Sequence, residues 1–456
     1  MNYHKKDGEP EQTELFYIRH KDLPDSQRLQ MLQEKLYQKS KEEKQYKFYV
    51  LYDKVFIPYV LREAWRMVRA KDSAPGVDNQ TVADVENYGV EKYLQELSEE
   101  LRKQTYTPQA IKRIYIPKAN GKQRPIGIGC VRDRIAQMVC KLIIEPIFEA
   151  DFADNSHGFR PERSSKGAIK EIKEHLKEGR TEVYDADLSS YFDTIPHNKL
   201  YVVLKQRIVD PRLMKLIDKF LKVPIQDTDG LNGGKGNKMG VPQGGILSPL
   251  LANIYMNLVD KAVNRTKGIF EQNGIKIVRY ADDFVLVAKK LEKQAIDYLQ
   301  SMLERMELRI NEEKTKAINA EEQSFNFLGF TFRYDKDLYT QGKRYWNIIP
   351  SDKAINKIVE RIREILHSSL HFSPTKLVQA LNEVLRGWLN YFDIKGISYA
   401  ACAKRKLRYY LNTALYRYYN RKSQRKSSMY GQHAFEILVT KYGLIDPTKY
   451  QCAERR

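Results

Sequence analysis

Ile275-Lys276-Ile277-Val278-Arg279-Tyr280-Ala281-Asp282-Asp283-Phe284-Val285-Leu286-Val287-Ala288 reads as two apolar strands, 275–280 and 284–288, joined by a tight acidic turn. Adjacent carboxylates repel each other. Setting them at the end of a buried sheet is costly unless a cation neutralises them. Mg²⁺ does this with carboxylate oxygens plus substrate phosphates. Two such ions, about 4 Å apart, activate a hydroxyl nucleophile and stabilise a pyrophosphate leaving group. One carboxylate from a separate strand must bridge them. The stretch Tyr184-Asp185-Ala186-Asp187-Leu188-Ser189-Ser190-Tyr191-Phe192-Asp193 supplies it, with a strand expected over 183–188 and Asp187 as the bridging candidate. Asp185 shares the face of Asp187, because residues i and i+2 of a strand point the same way; it is read as structural. Asp193 is read as a helix cap or a hydrogen-bond partner. Alone, Asp282-Asp283 also suits a solvated turn; the flanking strands and the second acidic segment decide against that.

Outward from this pair the pattern alternates helix and strand. Helical spacing begins near Leu29, within a polar stretch over 1–50, and helices are expected over 55–68, 90–104, 131–150, 164–178, 197–222 and 291–308. Residues 112–116 and 124–128 flank Asn120-Gly121, a hairpin signal. A Gly-rich loop over 230–245 leads to a helix with Ser248 as N-cap and Pro249 at its first position. Residues 325–332 read as one strand bent at Gly329. From 351 to 400 only helices are expected. The final segment, 401–456, carries 13 Lys+Arg against Glu436, Asp446 and Glu454, a local balance of +10.

The whole chain has 456 residues, which suits about three domains. Its 42% hydrophobic and 30% charged residues exclude a mostly disordered chain. The net charge of +20 favours a polyanionic partner, and 30 tyrosines supply rings that stack on bases. Cys130, Cys140, Cys402 and Cys452 form no C-x-x-C pair, so neither a zinc ribbon nor a disulfide framework is expected. The N-terminus is polar, with no signal-like apolar stretch, and nothing approaches the roughly 20 apolar residues that span a bilayer. A cytoplasmic location and no membrane partner are therefore expected.

Seven segments then fall in one order: Ile116-Pro117-Lys118 with Lys122-Gln123-Arg124-Pro125; Ser156-His157-Gly158-Phe159-Arg160-Pro161; the Asp187 segment; Gly240-Val241-Pro242-Gln243-Gly244-Gly245-Ile246-Leu247-Ser248-Pro249; Tyr280-Ala281-Asp282-Asp283; Lys314-Thr315; and Phe327-Leu328-Gly329-Phe330. In these the chain resembles the reverse transcriptases encoded by bacterial group II introns, over most of residues 70–400. The resemblance implies an α+β right hand: fingers and palm over 71–350 behind an N-terminal extension and helix (1–70), an α-helical thumb or maturase domain over 351–400, and a basic nucleic-acid-binding segment over 401–456.

It also implies an activity, RNA-directed DNA polymerisation from dNTPs onto a primer 3′-hydroxyl. Asp187, Asp282 and Asp283 would be both catalytic and metal-binding, holding two Mg²⁺ ions with Mn²⁺ as a substitute. Lys118 and Arg124 would meet the triphosphate, by a point charge and a bidentate guanidinium. Phe192 would pack under the sugar and exclude a 2′-hydroxyl. Gln243 and Gly244 would lie under the nascent base pair, Gly244 letting the backbone approach the template. Lys314 would contact the triphosphate or give a proton to pyrophosphate. Arg160, Gly245, Phe327, Leu328 and Gly329 would hold template and primer, with salt-bridge scaffolding as the competing reading of Arg160 and of Arg132 and Arg134. His157 is read as structural.

Arg386-Gly387-Trp388-Leu389-Asn390-Tyr391-Phe392 resembles the maturase segment, which in the family grips intron RNA; Trp388 and Phe392 equally suit a core. Lys404, Arg405, Lys406 and Arg408, beside Tyr409 and Tyr410, suit phosphate contact and stacking, or a solvated helix face. The expected partners are an RNA template (structured intron RNA), a DNA primer or target, and dNTPs. The zinc-stabilised nuclease of many members is not expected here. The long polar extension favours a second reading, a freestanding relative serving phage defence or repair. A splicing cofactor with a dead site is opposed by the intact carboxylates, and an RNA-making polymerase by Phe192.

Overall fold

A computed structural model describes residues 23–117, 123–227, 229–234, 236–337, 340–421 and 427–452. Its strands are β1 Ile111–Pro117, β2 Gln123–Ile128, β3 Glu182–Ala186, β4 Pro224–Asp227, β5 Gly230–Gly233, β6 Lys276–Tyr280, β7 Asp283–Ala288, β8 Lys316–Asn319, β9 Phe325–Phe327, β10 Phe330–Lys336 and β11 Arg344–Pro350.

The acidic hairpin predicted from sequence is β6–β7, with Tyr280 opposite Asp283. β3 pairs antiparallel with β7, and β8 closes the sheet in the order β6-β7-β3-β8. Alternation decides what each face buries. Tyr184, Ala186, Phe284 and Leu286 enter one core, shared with the helices Asp25–Glu42, Pro58–Arg69, Val131–Glu149 and Ser248–Val263. Val183, Val285 and Val287 enter a second, with the Ser165–Lys177 helix and the sheet β11-β10-β9. This is the palm. The fingers are the sheet β2-β1-β4-β5, in which β1 pairs parallel with β4.

Three expectations are corrected here. Residues 197–222 are two helices, His197–Leu204 and Pro211–Leu221. Asp210 breaks them apart, because its carboxylate accepts from the amides of Arg212 and Leu213 and also from those of Leu51 and Tyr52. Residues 325–332 are not one bent strand but a hairpin, β9–β10, turning at Leu328-Gly329 with φ of +49° and +81°. The turn stacks Phe325 on Phe332 at 4.7 Å. Ser248 lies inside its helix rather than capping it, and its hydroxyl donates to the Pro242 carbonyl at 2.7 Å.

Beyond Pro350 the helices Asp352–Ser368, Pro374–Phe392, Ala401–Arg421 and Ala434–Tyr442 share one core. Ser351 and Ser373 cap the first two through the amides of Ala354 and Lys376. Leu407, Leu411 and Leu415 recur at helical spacing and enter that core with Leu381 and Leu385. The boundary expected between 400 and 401 therefore falls inside a packed unit. Among the described residues no helix is long and apolar enough to cross a membrane.

Candidate active site

Continuing the β3–β7 register by one residue sets Asp187 opposite Asp283. The Asn311–Lys314 turn fixes Asp187 there: the Asn311 amide donates to the Asp187 carbonyl at 2.8 Å, and Lys314 Nζ reaches Asp187 Oδ2 at 2.6 Å. Asp282 occupies the hairpin turn, beside Ala281 at φ +59°. The carboxylates crowd. Burial, then the neighbouring Asp282, Asp187 and Asp185, pushes Asp283 up to about 7, with Lys314 opposing. Asp283 is exposed at the residue level, but it lines the cleft, with protein around its carboxylate. Burial and then Asp187 also raise Asp282, against the charges of Arg124 and Lys314. Asp185 rises to about 6, through burial and then Asp187. The hydrogen bond to Asp187 raises Lys314 in turn.

Among the described residues no three Asp, Glu, His or Cys side chains converge into a metal cage as placed. The donor set is instead open: carboxylates in surplus over cations, with the Lys314 ammonium already drawn onto Asp187. It fits a hard cation that takes one or two carboxylates and completes its shell with substrate phosphate.

A cleft of about 810 Å³ opens over this edge of the sheet, and its walls include Arg124, Phe192, Gln243, Gly244, Gly245, Asp282, Asp283 and Leu328. Lys118 lies outside the described residues. Arg124 stands on β2 of the fingers. Phe192 packs edge-on to Tyr191 with its ring centroid 5.7 Å away, and Gln243 Nε2 donates to Asp193 Oδ2 at 3.1 Å. Gly244 is also required by the fold itself. It sits at φ +102°, and a Cβ there would lie 2.2 Å from the Gly127 carbonyl oxygen, so two bare backbones join the palm loop to the fingers. Gly245 is equally hemmed in, by Ser248 Oγ at 2.7 Å from such a Cβ.

Several expected contacts are spent elsewhere. Arg160 forms a fork on Glu149 and donates to the carbonyls of Ala153 and Ser156, so its buried guanidinium is scaffold rather than template clamp. Arg132 pairs with Glu100, and Arg134 donates to the carbonyls of Gly129, Ser73 and Ala74. Phe327 is buried in the second core, and Gly329 lies against Phe392 of the thumb, leaving Leu328 as the member of that turn on the cleft. His157 is buried on Glu171 at 2.6 Å. In the basic segment Lys404, 12% exposed at its side chain, pairs with Asp393 and donates to the Tyr450 carbonyl. Arg408 pairs with Asp446 at 3.3 Å, while Arg405 and Lys406 are exposed.

Sequence reasoning missed the residue under the turn. Arg279 and Asp260 are both 0% exposed and paired at 2.5 Å. Arg279 Nη1 also donates to the Ala281 carbonyl at 2.8 Å and to Asn253 Oδ1, and Nη2 donates to Ser156 Oγ. Asn253 in turn donates to the Gly158 carbonyl at 2.7 Å. A signal existed: Asn253, Asn257 and Asp260 form a polar stripe at helical spacing on an otherwise apolar helix.

An acidic hairpin on an antiparallel palm, basic fingers across a cleft and a helical thumb behind define a nucleotidyl-transferring polymerase of the right-hand class. Residues 116–332 match the family described as Reverse transcriptase (RNA-dependent DNA polymerase), and residues 355–434 match the Group II intron, maturase-specific domain. Protein YkfC of Escherichia coli (strain K12) is 38% identical over 66% of this chain and 86% of its own length. Group II intron-encoded protein LtrA of Lactococcus lactis subsp. cremoris is 31% identical over 53% of this chain and 50% of its own. The uncharacterized 91 kDa protein in cob intron of Schizosaccharomyces pombe is 28% identical over 67% of this chain and 45% of its own. The chain belongs to the group II intron reverse transcriptase/maturase family and carries an RNA-directed DNA polymerase domain. It spans about half the length of LtrA. The comparisons give the freestanding reading no better support than the intron type.

Proposed function

We propose that this chain extends a DNA primer on an RNA template from dNTPs at the Asp187–Asp282–Asp283 cluster with two Mg²⁺ ions, and that it works in the bacterial cytoplasm on structured intron RNA. The observation that carries this reading is the crowding of the cleft-lining Asp282 and Asp283 by each other and by Asp187, a negative charge that divalent cations neutralise and that then accepts substrate phosphate through them. Bound there, the ions would supply Lewis acidity toward the phosphoryl group and a more acidic primer hydroxyl. Asp187, Asp282 and Asp283 would hold them. Arg124 binds triphosphate oxygens from the fingers side. Lys314, paired with Asp187 here, would contact the triphosphate or give a proton to the leaving pyrophosphate. Phe192 lies under the incoming sugar and excludes a 2′-hydroxyl, and Gln243, held by Asp193, lies under the nascent pair. Arg405 and Lys406 bind phosphates along the thumb.

The test is Asp282→Ala. Primer extension with Mg²⁺ should fall by at least about a thousandfold, more than about 4 kcal/mol of transition-state stabilisation, while RNA binding persists. Normal extension by the variant would refute the site.

A further inference from the structure

Phe159 is a bulky side chain held at φ +56°, in the left-handed region that only glycine and asparagine enter easily. Its neighbours leave the backbone no choice. The His157 amide donates to the Arg279 carbonyl at 2.8 Å, the Gly158 carbonyl accepts from Asn253, and Arg160 is anchored by its fork on Glu149. Gly158 is pressed so hard on the catalytic turn that a Cβ would lie 2.5 Å from the Ala281 nitrogen. Strain of this kind persists where surrounding structure over-determines it, and it gathers at functional sites.

What the strain achieves is exposure. His157, Gly158 and Arg160 are buried, yet Phe159 between them is 51% exposed, and its ring faces the catalytic cleft. There it lies 6.4 Å from the Tyr280 ring, next to Gly158, which abuts Ala281 of the acidic turn, in the cleft that Leu328, Asp282 and Asp283 also line. A half-exposed phenyl ring beside the reacting centre loses no hydrogen bond when a base covers it, and base–aromatic stacking is sequence-tolerant.

Resting on the polymerase reading above, we infer that Phe159 is a contact residue for the primer strand: its ring stacks on the last base of the primer and so sets the 3′-hydroxyl against the carboxylates. The primer is favoured over the template by position. The triphosphate has Arg124 and Lys314, and the nascent pair has Gln243 and Gly244. The shelf of Phe159, Tyr280 and Leu328 adjoins the turn at which the 3′-hydroxyl must arrive.

The experiment uses the full chain with Phe159→Gly and Phe159→Tyr, on primer–templates with an intact or an abasic 3′-terminal primer nucleotide, and on a matched set with the abasic site in the template strand. Glycine relieves the left-handed cost while removing the ring, so the melting temperature should stay near that of the wild type. The preference for the intact primer, read as the ratio of KM values for primer–template, should fall by roughly tenfold in Phe159→Gly and be retained in Phe159→Tyr. The rate at saturating primer–template should fall in Phe159→Gly as well, because the 3′-hydroxyl is no longer set against the carboxylates. An unchanged ratio in Phe159→Gly, loss of the preference in Phe159→Tyr as well, or a change confined to the template lesion would overturn the inference. So would a melting temperature lowered by about 10 °C or more, which marks the ring as a packing residue. Failure of the wild type to extend any primer would instead sink the polymerase reading itself.

Discussion

Arg279→Met removes the guanidinium that spans the floor of the catalytic turn. Asp260, fully buried, would keep one side-chain donor in the described contacts, Asn155 Nδ2 at 3.0 Å, in place of the fork it receives now. Stranding a buried carboxylate in this way costs about 3–5 kcal/mol. That is a large share of the roughly 5–15 kcal/mol that holds a domain folded. Replacing both partners, Arg279→Met with Asp260→Leu, removes the stranded charge. It still leaves Asn253 Oδ1, Ser156 Oγ and the Ala281 carbonyl without this donor, at roughly 1 kcal/mol each. The double variant should therefore recover part of the stability, measured by urea unfolding. Primer extension separates support of the fold from support of the turn. In the double variant the Ala281 carbonyl has lost its anchor, so kcat should stay at least about tenfold below wild type while KM for dNTP moves little. A cost below about 1 kcal/mol for the single variant, or wild-type kcat in the double, would refute the reasoning.

Three further outcomes are expected. Phe192→Val should narrow the ratio of efficiencies for dCTP over CTP on an RNA template, and an unchanged ratio removes Phe192 from the sugar site. Arg405→Ala with Lys406→Ala should flatten the salt dependence of RNA binding by roughly two units and leave the melting temperature alone, whereas Lys404→Ala should lower the melting temperature by breaking the pair with Asp393. Asp283 has a raised folded-state value near 7, so its contribution to stability without metal is full below the ordinary carboxylate range and is lost as pH rises through about 7. Mg²⁺ needs the ionised form, so its apparent affinity should climb by up to about tenfold per pH unit toward 7 and then level off, with proton release seen by calorimetry in buffers of different ionisation heat. A flat profile would contradict the crowding.

The catalytic hairpin was legible because two short apolar strands around an acidic turn have few other uses, and the Asp187 strand followed from the need for a bridging carboxylate. The helix break at 205–210 had a local mark, Asp210 as N-cap before Pro211, but the apolar spacing on both sides ran through it, and the further grip of Asp210 on the amides of Leu51 and Tyr52 comes from far away in sequence. The β9–β10 turn was not legible, because Leu328 carries no local mark of a left-handed residue. β11, over Arg344–Pro350, went unread: it earns its place by pairing with β10. For Arg160, Lys404 and Arg408, charge announced a partner but not which one. Nearby carboxylates, Glu149, Asp393 and Asp446, took the place expected for phosphate.

The Leu328-Gly329 turn has a consequence for how this polymerase can be taken apart. The Tyr391 hydroxyl donates to the Leu328 carbonyl at 3.1 Å, and the Ser351 amide donates to that of Gly329. Phe330 lies against both Tyr391 and Phe392, with ring centroids 5.9 and 5.0 Å away. The thumb is thus grafted onto the β9–β11 sheet rather than hinged to it. A chimera cut at residue 351 would tear an aromatic seam and expose Phe330 and Phe392 together. A graft that carries 325–452 as one block keeps the seam whole, and relocates the cut to the edge of the palm, where the chain enters β9.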